Sequence, residues 1–144
     1  MEDEGQALRL VDLTYRFARA LAEETRQHVD EVADLEIGEF VLLRAIASGQ
    51  ATPTELSREM HAHPAATSRT LTQLVKSGLV ERRPDQGDSR RLTVALTDHG
   101  REVVAAIAAR IRPRLQRRLD QLPGGEASRL IGTLEQLLAT ETGS

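Results

Sequence analysis

Between Thr52 and Thr97 the chain reads TPTELSREMHAHPAATSRTLTQLVKSGLVERRPDQGDSRRLTVALT, and its apolar periodicity changes within that span from helical to alternating. Thr52-Pro53-Thr54-Glu55 has the composition of a helix start: Thr52 can cap, Pro53 suits the first turn, and Glu55 completes a capping box. Leu56 and Met60 then share one face at i, i+4, and this helix is short, stopping near His61. His63-Pro64 opens a second helix, with Leu71, Leu74 and Val75 as its buried stripe and Gly78 as its end. Leu79 to Arg83 reads as a short strand. Pro84-Asp85-Gln86-Gly87-Asp88 is rich in turn formers, and Leu92, Val94 and Leu96 alternate with Thr93, Ala95 and Thr97 as in a half-buried strand. Two short helices on a tight turn followed by a basic hairpin make a helix-turn-helix with a wing.

The flanks are helical. Residues 8–29 form one long helix with Leu10, Leu13, Phe17 and Leu21 on one stripe and Leu8, Val11, Tyr15, Ala18 and Ala22 on the next. So wide an apolar face packs on two sides, and in a small protein the second side is often another subunit. Residues 37–47, IGEFVLLRAIA, are apolar nearly all round and read as a short buried helix ended by Ser48-Gly49-Gln50. Thr97-Asp98-His99-Gly100 starts another long helix, whose stripe is Val104, Ile107, Ala108, Ile111, Leu115, Leu119 and Leu122, with a kink expected at Pro113. Pro123-Gly124-Gly125 breaks the chain before a last helix from about Glu126 to Ala139, apolar at Leu130, Ile131, Leu134, Leu137 and Leu138. The expected fold class is mainly α with a small β-hairpin wing (α+β), in a single domain spanning residues 1–144.

Composition excludes several alternatives. The 144 residues, 40% apolar and 28% charged, suit one globular domain with a real core. With no cysteine, disulfide scaffolds, Cys-based zinc sites and thiol redox sensing are excluded. The N-terminal MEDEGQ is acidic and lacks the apolar core of a signal peptide, and no apolar run approaches the ~18 residues of a membrane span. A cytoplasmic protein with no membrane partner is the expectation.

A net charge of −3 is unusual for a protein that meets DNA, but the distribution is uneven. Residues 1–40 hold eleven acids from Glu2 to Glu39 against Arg9, Arg16, Arg19 and Arg26, a local −7. Residues 58–97 carry +3 and residues 101–122 carry +4. The field that a phosphate backbone feels is that of the local patch.

The second helix of a helix-turn-helix enters the major groove by its N-terminal residues. Here those are Pro64, Ala65, Ala66, Thr67, Ser68, Arg69, Thr70 and Gln73. Hydroxyls and arginine bond phosphate or base edges, glutamine pairs with adenine, and small alanines allow close approach and touch thymine methyls. In the wing, Arg82, Arg83, Arg90 and Arg91 suit a narrow minor groove, where the negative potential is strongest. Asp88 cannot bind phosphate. Its expected work is to orient an arginine through a charge-assisted hydrogen bond.

Taken in order, TELSREM (54–60), TSRTLTQLVKSGLVERR (67–83), DSRR (88–91) and LTDHG (96–100) resemble the DNA-binding core of the MarR family. The resemblance implies residues 35–100 as a winged-helix DNA-binding lobe, and residues 1–34 and 101–144 as interlocking helices of a homodimer. It further implies a transcriptional regulator of double-stranded DNA at a pseudo-palindromic operator. The expected mode is a repressor released by a small organic effector; the alternative is control by a protein partner or a metal. By the same resemblance Arg90 is the minor-groove arginine, Ser68 and Arg69 are recognition-helix contacts, and Thr52 touches phosphate. Ala65 and Ala66 depart from the hydroxyl or charged residues common there, which shifts the expected base preference.

Other constellations are weaker. His61-x-His63 has no cysteine or carboxylate partner at ligand spacing, so no metal site is expected, and turn or phosphate roles suit both. Arg110, Arg112, Arg114, Arg117 and Arg118 read as a solvated face or as partners of the acidic N-terminal segment. No nucleophile–base pattern or Gly-rich phosphate loop appears, so neither an enzyme nor a cofactor is expected. The few aromatics, Tyr15, Phe17 and Phe40, are either plain core or the lining of an effector cleft.

Overall fold

The computed structural model describes residues 2–49 and 51–139; Met1, residues 140–144 and the Gln50 of the expected helix stop lie outside it. The elements are α1 (Glu2–Asp30), α2 (Ile37–Ala47), α3 (Pro53–Glu59), α4 (Pro64–Lys76), β1 (Val80–Pro84), β2 (Leu92–Leu96), α5 (Asp98–Asp120) and α6 (Glu126–Ala139). Their order is the one expected, a mainly helical chain with a two-stranded antiparallel hairpin, although α1 begins well before Leu8. The chain forms two compact units, one up to Ala108 and one from Ala109 onward.

In the first unit the helix starts have side-chain causes. Glu36 caps α2 in a reciprocal box, its backbone N–H donating to Glu39 Oε1 at 2.9 Å. Thr52 caps α3 by accepting from the Glu55 N–H at 3.2 Å. The expected box at α3 is only half made, because the Glu55 carboxylate instead accepts from Arg91 at 2.9 Å. His63 caps α4, its Nδ1 accepting from the Ala65 N–H at 3.2 Å. His61, at φ 51, supplies the left-handed residue that makes the turn between α3 and α4 tight.

The hairpin pairs Val80 with Leu96, Arg82 with Val94 and Pro84 with Leu92. Ala51 adds a bridge on the other edge of β2: the Val94 N–H donates to Ala51 O at 2.9 Å, and the Ala51 N–H returns a bond at 3.4 Å. With partners on both edges and α2 packed on it, β2 is buried from Thr93 to Leu96, and Leu92 is exposed. The half-buried alternation expected of this strand is therefore corrected. Around it lies a core of Leu43, Ile46, Leu56, Leu71, Leu74, Val80, Val94 and Ile107, all nearly inaccessible. Each such side chain contributes about 1.5–3 kcal/mol on burial.

The start of α5 is fixed against the end of the helix-turn-helix. The Thr97 N–H donates to Leu79 O at 3.1 Å, and Thr97 Oγ1 accepts from the Gly100 N–H at 3.0 Å. Gly100 lies so close to the Leu79 backbone that a Cβ there would sit 2.1 Å from the Leu79 carbonyl oxygen.

Two apolar stripes are not buried by their own units. On α1, Leu8, Leu10, Val11, Leu13, Tyr15 and Phe17 are 50–66% exposed, whereas Thr25 and Val29 near its end are buried. In the second unit, α5 runs unbroken through Pro113 to Asp120, so the proline does not end the helix. Gly125, at φ 82, takes up the turn into α6. The Leu130, Ile131, Leu134, Leu137 and Leu138 stripe of α6 is 42–57% exposed. Among the described residues no helix is long and apolar enough to cross a membrane.

The close approach at Gly100 generates a prediction. Gly100→Ala must push α5 off the Leu79 carbonyl and should cost about 1–3 kcal/mol, the range for overpacked sites. Chemical denaturation of the two proteins would show it, and an unchanged midpoint would mean that the approach is not a constraint.

Candidate nucleic-acid interface

Helix α4 presents two different faces. Leu71 and Leu74 anchor it to the core, and Thr67 belongs with them at 4% exposure. The expectation that Thr67 contacts DNA is corrected on this point: one turn before Leu71, its side chain faces inward. Pro64, Ala65, Ser68, Arg69 and Gln73 are exposed or half-buried, and so are Ala66 and Thr70. The opening turns of α4 thus offer a hydroxyl and a guanidinium beside a small alanine, with the Gln73 amide one turn further on. Thr52 is also buried, and its hydroxyl oxygen is already used by the Glu55 N–H. What α3 leaves available at that point is the start of the helix rather than the Thr52 side chain.

The wing loop closes on itself. The Asp85 N–H donates to Arg91 O at 2.8 Å, and the Arg91 N–H donates to Asp88 O at 3.0 Å. Asp88 Oδ1 accepts from the Arg90 backbone N–H at 3.0 Å and from its Nε at 3.4 Å. Asp88 therefore steadies Arg90 from behind, as its place in the loop suggested, while the Arg90 side chain stays 92% exposed. The other arginines of the wing lean on the protein. Arg82 Nη2 donates to Thr72 Oγ1 of α4 at 3.1 Å, Arg83 pairs with Glu81, and Arg91 Nη2 meets Glu55 Oε1 of α3 at 2.9 Å. Reading the sequence alone missed these cross-links, since no periodicity reports a contact between residues 55 and 91.

A groove of about 770 Å³ lies in the same unit. It is lined by Arg19 and Arg26 of α1, by Asp34 and Glu36, and by Gln73 and Ser77 at α4 and its end. The three aromatics are not brought together there. Tyr15 and Phe17 are on the exposed stripe of α1, Phe40 is a core residue of α2, and none lines the groove. His61 and His63 serve the turn and the α4 cap, and the described residues contain no group of three His, Asp or Glu suited to a metal ion.

Comparison with known proteins agrees with this geometry. The model of the MarR family matches residues 33–91. No curated protein sequence matches the chain. Among solved structures, the transcriptional regulator BldR from Sulfolobus solfataricus superposes with a TM-score of 0.82 at 21% identity, over 97% of this chain and 99% of that one. A mutant MarR from Escherichia coli, complexed with operator DNA, gives 0.77 at 24% identity, over 92% and 96%. Sco5413, a MarR family transcriptional regulator from Streptomyces coelicolor, gives 0.74 at 22%, over 94% of each chain. Residues 33–91 therefore resemble the MarR family, and the chain that carries them has the fold of these solved regulators.

Proposed function

We propose that the protein is a sequence-specific DNA-binding transcriptional regulator that works as a homodimer. The observation that carries this reading is a pair of features on one unit: the accessible Ser68, Arg69 and Gln73 of α4, and an Arg90 held outward on the wing by Asp88. In this reading the first turns of α4, from Pro64 through Ser68 and Arg69 to Gln73, enter the major groove. Arg90 probes the minor groove, and the helix start at Thr52 meets phosphate through its backbone. The likeness to a structure solved with operator DNA supports the same assignment.

The homodimer rests on the apolar stripes of α1 and α6, half-exposed in rows that a lone soluble chain rarely leaves open. A two-fold pair of readers requires operator half-sites about one DNA turn apart, ~10 bp centre to centre. Control by a small effector, and repression as its output, complete the proposal. The polar groove supports an effector with charged or hydrogen-bonding groups, and it includes Gln73 of the reading helix itself. An occupant that favours a placement of α4 mismatched to the groove spacing of DNA releases the operator. A tenfold release needs about 1.4 kcal/mol of preference for that state.

Operator DNA should be selectable from random sequence, and its titration by fluorescence anisotropy should separate two kinds of arginine. Arg90→Ala should weaken binding and make its salt dependence shallower by about 0.9 per lost phosphate-like contact. Arg69→Ala should instead lose about 1–3 kcal/mol of discrimination at one base position; equal effects on every sequence would move Arg69 to the backbone class. Leu134→Glu should shift the sedimenting species from dimer to monomer, and an unshifted profile would remove α6 from the interface. Finally, a screen of polar organic compounds by thermal shift should find one that also releases operator; stabilising ligands that all leave DNA bound would reject effector control.

A further inference from the structure

Arg90 is exposed on the wing, but its neighbour Arg91 has a different environment. Arg91 is the residue at which the wing loop closes: its carbonyl accepts from the Asp85 N–H at 2.8 Å, and its N–H donates to Asp88 O at 3.0 Å. Its side chain turns away from the loop tip and pairs with Glu55 in the first turn of α3 at 2.9 Å. Glu55 is in turn fixed, since its N–H donates to the buried Thr52 cap at 3.2 Å. Immediately before that cap, Ala51 is bridged to Val94 of β2 by paired backbone bonds. Residues 51–55 therefore grip the hairpin twice, once through its ladder and once through the base of its loop.

From this geometry we infer that Arg91 is a positioning residue, and that the Glu55–Arg91 pair sets the pitch of the wing relative to the helix-turn-helix. The inference rests on the reading of the chain as a DNA-binding regulator, and it takes Arg91 out of the set of direct DNA contacts. Charge is what makes it testable. A carboxylate near the DNA backbone repels phosphate, so on electrostatics alone its removal strengthens binding. If Glu55 works by holding the wing, its removal weakens binding instead. The pair is half-exposed at both ends, 54% for Arg91 and 52% for Glu55. Exposed pairs are individually weak, so the effect on affinity is about two- to fivefold, and the fold survives the substitution.

The experiment is a double-mutant cycle on selected duplex DNA with Glu55→Gln, Arg91→Gln and the two combined. The expected result is that each single variant weakens binding about two- to fivefold and that the combination is no worse than either alone. A Glu55→Gln variant that binds as well as the parent or better, or losses that add in the double variant, overturns the inference. A second readout needs no DNA. Amide hydrogen exchange at Asp85 and Arg91, the two donors that close the loop, should be faster in Glu55→Gln than in the parent. Unchanged exchange at both overturns the positioning role. Faster exchange in Glu55→Gln, together with a parent protein that selects no DNA, would instead uphold the pair as the wing's anchor and overturn the regulator reading.

Discussion

Strand β2 is the constraint around which the first unit is organised. It pairs with β1 along one edge and, through the backbone of Val94, with Ala51 on the other. A strand held on both edges, with α2 against it, has no side left for solvent. Its neighbours are then fixed in turn. β1 brings Arg82 to Thr72 of α4, and Ala51 places the start of α3. The return of the chain at Thr97 fastens the start of α5 to Leu79. Helix α4 and the wing are thus two branches from one buried strand, and the distance between them is set inside the protein.

Most of this order was legible in the residues. The helix starts at Thr52 and His63 announced themselves through a capping residue followed by proline, and the turn formers from Pro84 to Asp88 marked the wing. Asp88 could be assigned to an arginine of the wing because a carboxylate two residues from Arg90 has a cation within reach. These are local signals, carried by residues within a few positions of one another.

Interactions between distant segments were not legible. A lone Ala51 gives no hint that it pairs with Val94, and without that bridge β2 looks like an edge strand with one wet face. Glu55 fits a capping box so well that its partner at Arg91 is invisible until the fold brings the two together. Thr67 looks like another polar residue on a polar helix, and only the direction of the Leu71–Leu74 stripe shows that it turns inward. The placement of the three aromatics was illegible for the same reason: α1 carries Tyr15 and Phe17 outward, and α2 carries Phe40 into the core.

The contact at Gly100 has a bearing on how such a protein can change over time. The hairpin is clamped at its open end, where Thr97 and Gly100 meet Gly78 and Leu79, and the strand register is settled there. The tip of the wing lies at the far end of the ladder, beyond Pro84 and Leu92. Insertions or deletions at Gln86 and Gly87, between the loop bonds of Asp85 and Asp88, lengthen or shorten the tip without sliding β1 past β2, because the reference point for the register is elsewhere. The extreme tip can therefore vary while Asp88, Arg90 and Arg91 keep their bonds, so the reach of the wing can diversify without disturbing the core beneath it.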